Sequence, residues 1–135
     1  MLSISINGYN NRQQTEENEA IAIGSAYQRA QLLSTDDRNK ASLLIEQYLE
    51  ARIEFFKSGV SDENSQWRMI SLDKQNQLWQ IAVKEAFQSP NPIVASVLSA
   101  FSDLYLSQQK TMASWRHQIR MQLGFADLLL SAQIF

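Results

Sequence analysis

Helix breakers are scarce in this chain, and their placement limits what it can fold into. Four glycines and two prolines are spread over 135 residues. Between them apolar residues recur at three- and four-residue steps, the spacing that gathers side chains on one face of a helix. Strand-like alternation is confined to residues 2–6, LSISI. The chain therefore reads as all-α: a four-helix, up-down bundle made of two antiparallel helical hairpins, with a long last helix. A chain of this length can bury one core without disulfides or metals. The expected plan is an extended N-terminal arm over 1–10, a helical bundle domain over 11–123 and an apolar segment over 124–135.

The first helix is expected from about Asn11 to Leu33, with Ala20, Ile23, Tyr27 and Ala30 sharing a face. Gly24 lies on that face at a cost of about 1 kcal/mol relative to alanine. It is either tolerated or marks a close approach of the second helix. Ser34, Thr35, Asp36 and Asp37 form a tight connection in which a hydroxyl caps the next helix and the aspartates complement its dipole. That helix should run from about Asp36 to Lys57, bury Ala41, Leu44, Ile45, Tyr48, Ala51 and Phe55, and stop at Gly59.

A third helix starts at Ser61 or Asp62 and reaches Phe87. One side carries Trp67, Ile70, Leu78 and Ile81, and the opposite side carries Trp79, Val83, Ala86 and Phe87. Two apolar sides imply a partner on the second face or a break near Ser71, Leu72 and Asp73. Asn91 and Pro92 then open a fourth helix, proline costing nothing at the first helical position. Its stripe is Val94, Val97, Leu98, Phe101, Leu104, Met112, Trp115 and Ile119, with Gly124 bending or ending it. Folded as a second hairpin, this helix sets Trp115 opposite Trp67 and Phe101 opposite Ile81.

Arg52 is the residue with the most chemistry, because it falls within the second helix's apolar stripe and a buried charge needs a partner. A hairpin pivoting at Ser34 and Thr35 brings it level with Glu17, within one turn of Glu16 and Glu19. Either Arg52 makes a fork-shaped bond to Glu16 or Glu19 across the hairpin, or its long side chain carries the charge out to solvent at an open end of the bundle. A second cluster, Lys110, Arg116, His117 and Arg120, forms a basic patch suited to anionic lipid or another chain.

Catalysis has no positive support. The single histidine, His117, has neither nucleophile nor orienting carboxylate among its sequence neighbours, and paired Glu-x-x-His motifs, phosphate loops and cysteines are all missing. The expectation is a protein that is not an enzyme and takes no metal or cofactor. A net charge of −2 and a pI near 5.3 argue against nucleic acid as a partner.

Two stretches carry a family pattern. EAIAIGSAYQRAQLL followed by DR and QYLEARIEFF, and then QLWQIAVKEAFQSP with the helix after it, resemble the bestrophin-like bacterial membrane proteins of unknown function. The resemblance runs from about Arg12 to Leu130 and places Glu19, Ile23, Gly24, Tyr27, Tyr48, Arg52 and Trp79 on recurring positions. Ser102, Leu106 and Gly124 depart from it. The resemblance implies a soluble helical domain held between pairs of membrane-spanning helices, with membrane helices as partners attaching at the apolar ends. The alternative is a freestanding module that binds a protein partner or a second copy through Trp79, Val83, Ala86 and Phe87.

Overall fold

A computed structural model describes the backbone of residues 2–134 other than Val60, and the side chains of residues 12–117 other than Val60 together with Arg120. The described residues form four helices and no strand: α1 (Leu2–Ala30), α2 (Thr35–Ser58), α3 (Asp62–Gln88) and α4 (Pro92–Ile134). Each helix packs on two neighbours around a ring, and the backbones of the diagonal pairs stay apart. With short connections, this is the expected up-down four-helix bundle.

The interfaces are unequal. α2 against α3 and α1 against α4 are the most extensive, and the seam between α1 and α2 is the loosest. The core joins Ile23, Ala26 and Ala30 of α1 and Leu33 of the α1–α2 connection to Ala41, Ile45 and Tyr48 of α2, Leu78 and Ala82 of α3, and Val97, Ala100, Phe101 and Leu104 of α4. The small buried residues of α1 are thus Ala26 and Ala30.

Gly24 is not among them. A side chain built on it would meet nothing within 4 Å, so the close approach expected of it does not occur. The buried stripe of α1 follows Thr15, Glu19, Ile23, Ala26 and Ala30. This turns Ala20, Gly24 and Tyr27 outward, beside the seam with α2.

The ends of the elements follow their chemistry in part. The Val94 amide donates to Asn91 Oδ1 at 3.0 Å and α4 opens at Pro92, as expected. Gly59 closes α2 at φ 59°, the left-handed conformation that a side chain resists. Ser34 does not cap α2 with its side chain. Its backbone N–H donates to Glu85 Oε1 of α3 at 2.9 Å and its hydroxyl donates to the same oxygen, tying the α1–α2 connection to the third helix.

One local expectation fails and two alternatives are decided. Residues 2–10 are the opening turns of α1 rather than an extended arm, because LSISI has no neighbouring strand to pair with. α3 is unbroken at Ser71, whose hydroxyl donates to the Trp67 carbonyl at 2.7 Å inside the helix. α4 continues through Gly124 to Ile134 over 43 residues, a lone glycine costing too little to stop a long helix. Ile119 has its side chain outside the described residues.

The diagonal between α2 and α4 is spanned by long side chains. The Tyr48 hydroxyl donates to the Leu104 carbonyl at 3.2 Å, and Arg52 reaches Gln108 one turn on. Phe55 stacks on Trp115 with ring centroids 4.8 Å apart, and Phe56 meets the same indole edge-on. The aromatic partners of Trp115 therefore come from α2, not from Trp67 of α3.

Candidate functional site

The site is an ionic layer in the core to which every helix contributes. Arg52 and Glu19, each 2% exposed, meet as the fork that the sequence suggests: Nε donates to Oε1 at 2.6 Å and Nη2 to Oε2 at 2.9 Å. The remaining guanidinium nitrogen, Nη1, donates to Gln108 Oε1 at 3.3 Å and reaches Ser71 Oγ at 3.5 Å. Thr111 supplies a third donor to Glu19, its hydroxyl 2.6 Å from Oε2. Below the pair the guanidinium lies over the Phe55 ring, 4.0 Å from its centroid.

Glu19 is therefore the partner of Arg52, and Glu16 is not. Glu16 sits on the surface, 3.4 Å from Arg12. One turn separates the two glutamates on α1, and the inward turn of the stripe selects the later one.

Burial of an ion pair in a medium of low dielectric is costly unless each lone pair and proton is met. Here the carboxylate accepts three hydrogen bonds, and the guanidinium is both bonded and stacked. Both carboxylate oxygens are engaged.

Sequence reading missed the polar residues around the pair. Ser71, Gln75, Ser107, Gln108 and Thr111 are all buried, and Gln75 Nε2 donates to the Phe101 carbonyl at 3.2 Å. Their signal was present as polar residues at core spacing on α3 and α4, where an apolar stripe alone is easily read. The Gln108 Nε2 is buried without a partner.

Beside the layer, the loose α1–α2 seam opens into a cleft of about 450 Å³. Its walls are apolar, from Ala20 and Ile23 on one side and Leu49, Ile53 and Phe56 on the other, with Glu19 and Arg52 at its base. Arg12 closes one end by donating to the Phe56 carbonyl at 2.5 Å, at the C-terminal end of α2 where a cation complements the helix dipole.

The other expected groups lie elsewhere. Trp79 packs in part against the core, Val83 and Ala86 are half-buried, and Phe87 is 85% exposed. Lys110, Arg116, His117 and Arg120 are exposed along α4, away from the ionic layer. Among the described residues no group of three or more histidines or carboxylates could hold a metal ion.

At the opposite pole Lys84 Nζ bonds Asp37 Oδ1 at 2.7 Å. Burial pushes the Asp37 carboxyl up, but the hydrogen bond and charge of Lys84, with Ser34, outweigh it and hold the group below its ordinary value. Burial of Tyr48 raises its hydroxyl well above the usual tyrosine range.

Fold and site define an all-α bundle with a buried ionic layer. Compared with models of known families, with curated proteins and with solved structures, the chain matches none.

Proposed function

We propose that this chain is the non-catalytic helical domain of a membrane-associated, bestrophin-like protein. The observation that carries this reading is the overrun of α1 and α4 at one pole. Measured from the ionic layer at 1.5 Å per residue, α2 ends about 9 Å down and α3 begins about 14 Å down, whereas α1 begins about 25 Å down and α4 ends about 39 Å down. Both ends of the chain thus leave the bundle side by side, past the α2–α3 connection. The sequence from residue 125 on is FADLLLSAQIF.

Glu19 and Arg52, both on recurring positions of the resemblance, also meet in the core, which gives that pattern a physical reason. Among the described residues no helix is long and apolar enough to cross a membrane. In this reading the spanning helices are separate segments joined to α1 or α4. The coding frame on either side of Met1 and Phe135 tests it. An apolar run of about 20 residues continuous with either terminus is expected, and stop codons directly flanking the chain on both sides overturn the proposal.

A second reading, a module that pairs with another protein or another copy, is favoured by the face over the α1–α2 seam. Tyr27, Leu49 and Ile53 are 46%, 41% and 44% exposed there, beside the open surface at Gly24. Light scattering of the purified chain distinguishes it: a concentration-dependent dimer supports this module, and a strict monomer removes the self-pairing form.

A further inference from the structure

We infer that the exposed basic face of α4 contacts anionic lipid headgroups, with Arg116 and Arg120 as its principal charges; this rests on the membrane reading above. Three observations converge. No aspartate or glutamate occurs between Leu104 and Ala126, although the chain as a whole carries a net charge of −2. Lys110, Arg116, His117 and Arg120 are all exposed on this helix. The same helix is the one that overruns the bundle furthest, and its sequence turns apolar just beyond these residues.

Distance ranks the four groups. Along the axis from Gly124, where the apolar run begins, Arg120 lies about 6 Å back, His117 about 10 Å and Arg116 about 12 Å, whereas Lys110 lies about 21 Å back. The screening length at physiological salt is about 8 Å. A long arginine side chain extends its reach toward a surface by snorkelling, so both arginines fall within the field of a charged bilayer and Lys110 falls outside it.

Nearby charges do not cancel the face. Arg12, on α1 at the same level, is held by Glu16 and the Phe56 carbonyl. Asp62 and Glu63 open α3 at this pole, yet no salt bridge among the described residues joins a carboxylate to Arg116, His117 or Arg120.

The test is co-sedimentation of the 135-residue chain with vesicles of phosphatidylcholine alone or mixed with phosphatidylglycerol, over a range of salt. Binding to the mixed vesicles that weakens with salt is expected. Arg116→Gln with Arg120→Gln should lower it about 25-fold, about fivefold for each arginine, while Lys110→Gln should change it less than about twofold. Equal binding to neutral and anionic vesicles overturns the inference. So does unaltered binding by the double variant, its helical circular dichroism showing that it is folded, and so does a dimer that depends on the two arginines without any vesicle binding. Because the reading-frame test uses no vesicles, failure of the lipid contact and failure of the membrane reading are separately visible.

Discussion

Replacing Arg52 by methionine keeps most of the side-chain volume and removes the charge. Glu19 is then left 2% exposed with the Thr111 hydroxyl as its one remaining side-chain donor. Removing one partner of a buried pair costs about 3–5 kcal/mol, and loss of the cation over Phe55 adds up to about 2 kcal/mol in a desolvated site. An expected loss of about 4–5 kcal/mol is a large share of the 5–15 kcal/mol typical of a domain. It should lower the melting temperature by about 15 °C. Glu19→Leu strands the guanidinium and should cost a similar amount. The double variant is the decisive member of the set. In it the Thr111 hydroxyl can turn its one proton from the lost carboxylate to the Ser107 carbonyl, 3.1 Å away, and Ser71 keeps its bond to the Trp67 carbonyl at 2.7 Å, so only Gln108 Oε1 loses its donor. Urea unfolding followed by far-ultraviolet circular dichroism should place the double variant within about 2 kcal/mol of the parent, because a buried pair exchanged for apolar groups is often neutral. The reasoning is refuted if Arg52→Met costs less than about 1 kcal/mol, or if the two single losses add to within about 0.5 kcal/mol.

Other expectations follow from the same geometry. Gly24→Ala should stabilise the chain by about 1 kcal/mol, since helix propensity improves and the new methyl meets nothing within 4 Å; thermal unfolding checks it, and a loss of stability would mean that something packs there. Tyr48 is raised above its ordinary 10.0 by burial, so its stabilisation is complete below pH 10 and is lost as pH climbs toward the folded value. The parent should lose about 1.4 kcal/mol per pH unit above 10 from this group, and Tyr48→Phe should flatten that limb of an alkaline stability curve. Asp37 is held below its ordinary 3.8, so its stabilisation is present above about pH 4 and is lost as pH falls through the lower folded value. Asp37→Asn should therefore make acid unfolding shallower below pH 4, by no more than about 1 kcal/mol because Lys84 is half exposed.

The fold was legible because helix boundaries and buried faces are local. Asn91 and Pro92 start α4, Gly59 ends α2, and Ala41, Ile45, Tyr48, Ala51 and Phe55 are buried as their spacing implies. The fork between Glu19 and Arg52 was legible too, since a charge in an apolar stripe demands a partner and a short hairpin limits where one can be. Gly24 was misread because helical projection alone does not fix which edge of a broad stripe faces the core. The two buried alanines, Ala26 and Ala30, set that rotation. Gln108 and Thr111 were missed for a different reason. Their spacing continues the buried stripe of α4, but the partners they meet depend on where α4 crosses the level of Arg52, a long-range register, and polar side chains in a stripe read for apolar residues are passed over. LSISI shows the limit of two-residue alternation as a strand signal when nothing lies alongside to complete a sheet.

The central claim is that the Glu19–Arg52 layer binds all four helices into one cooperative unit, despite the loose seam between α1 and α2. Native-state hydrogen exchange resolved by residue tests this most directly. Amides around Glu19, Arg52, Ser71 and Gln108 should exchange through one global opening, with free energies agreeing within about 1 kcal/mol and falling together in Arg52→Met. If the amides around Glu19 open at much lower free energy than those around Ser71, α1 detaches independently and the claim is contradicted.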